Sequence, residues 1–414
     1  METSNNNSGL LRGIKVVEFG QFVAGPHTTL LLSSLGAEVI KVERLHTGDS
    51  GRGIGYFDKS GVSGFFTQQN CGKKSISVDL KHPEGFKAIY SLCIKSDIIV
   101  ENFRPGSIER IGLGYAKLSK INPGLIMCSI SAYGQTGPYS TRPGFGPLVE
   151  ALGGVTELTG DPNSSPVQTR YMIADNIAAD KAVGAICASL YDRTRTGKGQ
   201  YIDIGLLDCI VEGDETTLQH YIWSNGERKL TRRGKTDDTV VPFGIFQVKD
   251  RYIAIHCATN ENWVKLCKSI NQNEWLLDER FSSLENRRKN RVEVYKVINE
   301  WFSKKTDAYE TVKYLQQNGV PCELAKRVNE VAEDTQINAR NMFVEKEIPG
   351  IGRRKIINVA YKINPSKASL SGVPPSLGEH TDLILSELGY NGKKIKQLHS
   401  DGVVFSTKNS NSNS

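Results

Sequence analysis

The stretch IKVVEFGQFVAGPHTTLLLSSLGAEVIKVER, residues 14–44, decides the fold. IKVVEF (14–19) is a short apolar run ending at a glycine, as expected of a strand buried on both faces. PHTTLLLSSLG (26–36) opens on proline and closes on glycine, the punctuation of a helix. EVIKVER (38–44) repeats the first pattern. The strand–helix–strand order predicts two parallel strands, because the helix carries the chain back across the sheet.

Outward from this unit the alternation continues. SISVDL (75–80), DIIVENF (97–103) and LIMCSISAYG (125–134) are expected strands, separated by helices that begin near Pro83 and Pro105. QYIDIGLLD (200–208) is a strand running into a helix. The fold class is α/β, with a large Rossmann-like parallel-sheet domain over residues 11–223. Ligands of such sheets bind beyond the carboxyl ends of the strands. A polar linker follows at 224–234, with Asn225-Gly226 in it, and then a smaller α+β domain at 235–332. That domain should hold a hairpin at 243–257 and helices at 262–270, 288–302 and 308–317. Residues 333–402, with strands and one last helix, are too few for a domain and are expected to pack back on the first. Polar tails at 1–10 and 403–414 are expected to be disordered.

Composition narrows the class. At 414 residues, with 38% hydrophobic and 23% charged residues, the chain reads as a soluble globular protein of more than one domain. No apolar run approaches the roughly 20 residues of a membrane-spanning helix. The net charge of +7 is modest, and Arg232-Arg233 and Arg287-Arg288-Lys289 are separate runs without interleaved aromatics. Neither nucleic acid nor membrane is therefore an expected partner, whereas a small polyanion suits the excess. Eight cysteines without CxxC pairs, and histidines without HxxEH-type spacing, predict buried thiols and no metal site. METSNNNSGLL lacks an apolar signal segment, so the cytoplasm is the expected compartment, with the mitochondrial matrix as the alternative.

Several catalytic motifs are absent. Gly20-Gln-Phe-Val-Ala-Gly25 is not GxGxxG, and its bulky residues oppose a pyrophosphate, although Glu43 stands where a ribose-binding acid would. There is no GxSxG elbow and no GxxxxGK[ST] loop. Basic residues do gather at predicted strand ends: Arg44, Lys81, Arg104 and Arg110. A phosphorylated ligand on the carboxyl edge of the sheet would meet them, together with the helix start near Pro105. In RYMIADNIAADKAVGAICASLYDRTRTGKGQYID (170–203), Asp175 stands at the mouth of an apolar helix and reads locally as its N-cap.

AGP (24–26), GAEVIKVER (36–44), NCGKKSISVDLK (70–81), VENFRPG (100–106), AYGQTGP (132–138) and RTGKGQYIDIGLLD (195–208) occur together and in order. With them the chain resembles the class III CoA-transferase family from about residue 11 to 402. That family includes formyl-CoA and carnitine CoA-transferases, succinyl-CoA-dependent dicarboxylate transferases and α-methylacyl-CoA racemase. The resemblance implies an interlocked homodimer, acyl-CoA and organic acid substrates, and no permanently bound cofactor. It implies Asp175 as catalytic nucleophile, and Val23, Ala24, Arg44, Val78, Asp79, Leu80, Lys81, Asn102, Phe103, Arg104 and Arg110 as CoA contacts. A carboxylate attacking a thioester needs neither metal nor redox cofactor, and N–H groups at the start of the following helix are expected to steady the oxyanion.

Three departures narrow the activity. Phe145 stands where the racemase branch carries a histidine base, and Val23 where formyl-CoA transferase has a functional glutamine. KTDDTVVPFGIF (235–246) lacks the glycine run of the formyl enzyme and is closer to the succinyl-CoA:glutarate type. The expected activity is CoA transfer to a carboxylic or dicarboxylic acid, with succinyl-CoA as the expected donor. The alternatives are an acyl-CoA racemase and a silent CoA-binding paralogue.

Overall fold

Short runs rich in apolar residues and bounded by turns become the strands of one sheet. The computed structural model describes residues 9–59, 61–366 and 368–407. Its strands are β1 (Lys15–Phe19), β2 (Glu38–Glu43), β3 (Lys74–Val78), β4 (Ile98–Glu101), β5 (Ile126–Ser131), β6 (Tyr201–Gly205), β7 (Phe243–Val248), β8 (Arg251–His256), β9 (Cys322–Leu324), β10 (Phe343–Ile348), β11 (Gly352–Ile357) and β12 (Val404–Phe405). Two units emerge. The first takes the chain up to Gly153, Arg170–Gln219 and everything from Gln336 on. The second takes Gly154–Thr169 and His220–Thr335. Residues 154–169, expected in the large domain, thus fall in the smaller unit, and so do 224–234, expected as a linker.

In the first unit the sheet order is β12-β3-β2-β1-β4-β5-β6. Every pairing is parallel except β12 with β3. Val17 lies between Ile40 on β2 and Ile99 on β4, and all three are buried with Phe19, Val42, Ile76 and Met127. Each such side chain contributes about 1.5–3 kcal/mol by leaving water. The strand order reverses between β1 and β4, which opens a crevice at their carboxyl ends.

Beside that crevice lies a buried ionic cluster that hydropathy alone would have put at the surface. Lys41 Nζ is 2.6 Å from Glu18 Oε1 and 2.8 Å from Asp49 Oδ2. Lys73 Nζ is 2.9 Å from Glu18 Oε2. Burial alone would raise the Glu18 pKa, but the two ammonium groups and the Thr29 hydroxyl overcome it and hold the value at about 2. Burial lowers Lys73 to about 8 against the pull of Glu18. Lys41 also donates to the Gly20 carbonyl at 2.9 Å, and Lys73 to the Pro26 carbonyl at 2.8 Å. Breaking one side of a buried ion pair costs about 3–5 kcal/mol, so the turn between β1 and the helix Ala24–Ser34 is held firmly at both ends.

The segment from Gln336 on contains the β10–β11 hairpin and two helices, Thr381–Glu387 and Gly392–Ser400, where one was expected. Asn391 divides them by accepting the Lys394 N–H and starting a second helix. Of the expected tails, 1–8 and 408–414 lie outside the described residues. Val404–Phe405, expected within the second tail, instead pair with β3.

The second unit has an antiparallel sheet in the order β7-β8-β9 under the helices Asn260–Ser269, Arg291–Ser303 and Ala308–Gln317. Phe246 stacks on Phe302, and Trp263 on Trp275, in its core. Buried Arg287 donates to the carbonyls of Val241 and Phe281, which satisfies a charge that would otherwise be costly. Among the described residues no helix is long and apolar enough to cross a membrane.

Candidate active site

The crevice is closed at its base by a reciprocal pair of hydrogen bonds. The Gln21 N–H donates to Asn102 Oδ1 and Asn102 Nδ2 donates to the Gln21 carbonyl, each at 2.8 Å. These bonds lock the turn after β1 to the turn after β4. Gly25 permits the approach, since a Cβ there would lie 3.2 Å from Asn102 Cγ.

On one side is a cavity of about 890 Å³, walled by the ends of β1, β2 and β3 and by the segment after β4. Arg44, Val78, Asp79, Leu80, Lys81, Phe103, Arg104 and Arg110 all line it. Its size suits a large ligand, and the exposed cations Arg44, Lys81, Arg104 and Arg110 suit an anionic one. The helix after Pro105 is only Ser107–Ile111, so side-chain charge, rather than a long helix dipole, supplies the positive field. Glu43 also faces this cavity, but its oxygens are taken by Arg52, the Asp49 N–H and the Ser75 hydroxyl. A ribose-binding role at Glu43 is therefore ruled out by geometry.

On the other side is a cavity of about 280 Å³ that holds Asp175. Gln21, Phe103 and Arg104 line both cavities, while Ala24 and Asn102 line the smaller one. Val23 lines neither; it is buried at the N-cap of Ala24–Ser34. The neighbouring Phe22 faces the small cavity instead, with a left-handed backbone at φ 63°.

Asp175 stands on the helix Ile173–Thr196, which buries Ala174, Ala178, Ala179 and Ala182 and packs, among other elements, against Ala24–Ser34. The helix begins earlier than expected, with Met172 at its N-cap, so Asp175 lies in the first turn rather than capping it. The Ala174 N–H is taken by Glu150 Oε1 at 3.2 Å, which removes one of the donors expected for an oxyanion. The backbone N–H groups of Ala24 and of Asp175 itself pull the carboxylate's pKa down. Burial, followed by the charge of Glu150, outweighs that pull and raises its pKa to about 6. At neutral pH it is an ionised but weakly solvated carboxylate, a state suited to nucleophilic attack.

Gly146 makes room for it. A Cβ on Gly146 would overlap Asp175 Oδ2 and lie 3.2 Å from Cγ. Phe145, next to it, also lines the cavity, is 59% exposed and makes an edge contact with Phe22. Its side chain carries no acid or base. Sequence reasoning missed Gln21, Arg142, Gly146 and Glu150. The Gly-Phe-Gly of 144–146 between an arginine and a glutamate was the available signal.

The sequence model of the family described as CoA-transferase family III matches residues 11–381. A human succinyl-CoA:glutarate CoA-transferase is 34% identical over 407 residues, 97% of this chain and 92% of that protein. The β subunit of a succinyl-CoA–L-malate CoA-transferase from Chloroflexus aurantiacus is 32% identical, over 95% of this chain and 98% of its own. Among solved structures, a CAIB/BAIF family protein from Brucella suis superposes with a TM-score of 0.81 at 32% identity, covering 92% of this chain and 100% of its own.

Proposed function

The chain belongs to CoA-transferase family III, and from that premise we propose that it moves CoA from an acyl-CoA to a free dicarboxylic acid through a covalent intermediate on Asp175. The observation that carries this reading is the junction of the two cavities. A cation-rimmed pocket large enough for CoA meets, at Gln21, Phe103 and Arg104, a small pocket containing a weakly solvated carboxylate.

In the first step an Asp175 oxygen attacks the thioester carbonyl carbon. The C–S bond breaks, leaving CoA thiolate and a mixed anhydride. The thiolate then attacks the Asp175 acyl carbon and displaces the donor acid, giving an aspartyl-CoA thioester. The acceptor carboxylate attacks that thioester and forms a second anhydride, which the thiolate cleaves at the acceptor's acyl carbon. Asp175 is regenerated, and no proton or electron is gained or lost. Splitting one exchange into displacements on activated acyl groups is the advantage of the covalent route. Succinyl-CoA as donor and a dicarboxylate as acceptor are supported by the names of the relatives.

The test is incubation with succinyl-CoA and a panel of mono- and dicarboxylic acids, with the CoA esters resolved by mass. New esters of dicarboxylic acids are expected, together with a hydroxylamine-trapped Asp175 peptide. Deuterium wash-in at the α-carbon of an acyl-CoA without any new ester would overturn the reading.

The family resemblance also supports an interlocked homodimer. On the mutually packed helices Gly146–Leu152, Ile173–Thr196 and Leu206–Glu212, the large side chains Leu148, Leu152, Tyr191 and Val211 are exposed. Covering them in a second copy is the natural use of such a surface. Light scattering is expected to give twice the chain mass of 45.7 kDa, and a stable monomer would refute the assembly.

A further inference from the structure

Arg142 lies in the loop that follows β5, and of the two cavities it lines only the small one that holds Asp175. The loop is held on both sides of it. The Arg142 N–H donates to the Tyr139 carbonyl at 2.9 Å, and the Ser140 N–H to the Gly137 carbonyl at 3.3 Å. Gly144 lies so close to Ala132 that a Cβ there would overlap the alanine side chain. The guanidinium carbon sits 3.4 Å from the centre of the Tyr139 ring. Stacking of this kind engages the face of the guanidinium and leaves its edge N–H donors available. Among the described residues no carboxylate forms an ion pair with it.

We propose that Arg142 binds the non-reacting carboxylate of a dicarboxylic acid or its CoA thioester, and so selects diacids over monoacids. The proposal rests on the dicarboxylate reading above. A cavity of about 280 Å³ holds a short acyl chain. With one end of that chain at Asp175, its other end must find a partner within the same walls. A carboxylate brought there without a cation loses its hydration uncompensated. A planar, stacked guanidinium offers two parallel N–H groups in the geometry a carboxylate accepts. Arg104, which faces both cavities, is the cation shared with the CoA side; Arg142 is not.

Succinyl-CoA and butyryl-CoA differ only in the terminal carboxylate and carry the same CoA. Their kcat/KM values, measured with one common acceptor acid, isolate the contact. In Arg142→Gln the preference for succinyl-CoA is expected to fall about thirtyfold, as for loss of a charge-assisted pair of hydrogen bonds. Arg142→Lys is expected to recover part of it, because an ammonium supplies charge without the fork. An equal fall for both thioesters would mean that Arg142 serves CoA phosphates or the loop's fold, and would overturn the proposal. So would an unchanged preference in Arg142→Gln. If the wild-type enzyme itself shows no preference for succinyl-CoA, the dicarboxylate reading fails and this inference with it.

Discussion

Asp175→Asn is expected to lower CoA transfer by more than about a thousandfold, the usual scale for removing a covalent nucleophile, while making the protein more stable at neutral pH. Both effects come from one feature. Burial and Glu150 raise the Asp175 pKa from its ordinary 3.8 to about 6. A carboxyl group that holds its proton more tightly when folded contributes nothing below pH 4, where both states are protonated. Between about 4 and 6 the unfolded chain ionises first, so stability falls as pH rises. Above 6 the loss is complete, at about 1–3 kcal/mol for a shift of this size on a partly buried group. Asparagine cannot ionise, so it escapes that loss. Urea unfolding at pH 7.5 and pH 4 checks this: the variant should be the more stable at 7.5 and level with wild type at 4. The acyl-CoA half-reaction of the wild type should rise with pH through about 6, and Glu150→Gln should move that rise lower. A variant that transfers CoA at the wild-type rate would end the nucleophile assignment.

The sheet was legible because its strands are buried on both faces. Each of β1 to β5 therefore gathers apolar residues around a few buried polar ones, and the cations that follow β2, β3 and β4 stand out just beyond it. Asp175 was legible as a lone carboxylate opening an alanine-rich helix. What lay out of reach depends on residues brought together by the fold. The start of the long helix was misplaced because Glu150, from another helix, accepts the Ala174 N–H, so an Asp at the helix mouth was not needed as its cap. Burial, and after it the same glutamate, raises the Asp175 pKa, which a helix terminus alone would have lowered. Lys41 alternates with apolar residues as a solvent-facing lysine would, yet it is buried because Glu18 and Asp49 meet it. A two-residue strand such as β12 carries no periodicity at all, and only its pairing with β3 defines it.

The second large effect concerns a residue with no functional group. Gly146 opens the helix Gly146–Leu152 with φ outside the left-handed region, so alanine is acceptable to its backbone. The added methyl would nevertheless occupy the space of Asp175 Oδ2. The carboxylate must then leave the position it holds in the small cavity. A displacement of about 1 Å at a reacting group costs on the order of a hundredfold in rate, and that loss in kcat is the expected result for Gly146→Ala. Binding of acyl-CoA should change little, because Gly146 is not on the wall of the larger cavity. Gly184→Ala is the matched control. It lies within the same helix as Asp175, with nothing within 4 Å of the added Cβ, and should stabilise by about 0.4–1 kcal/mol with activity intact. Titration of acyl-CoA binding beside single-turnover transfer separates the outcomes. Parallel loss of binding and transfer would mean that Gly146→Ala disrupts the fold rather than the nucleophile. Transfer equal to that of Gly184→Ala would mean that the carboxylate reacts from some other position, and the geometry argued for Asp175 would be wrong.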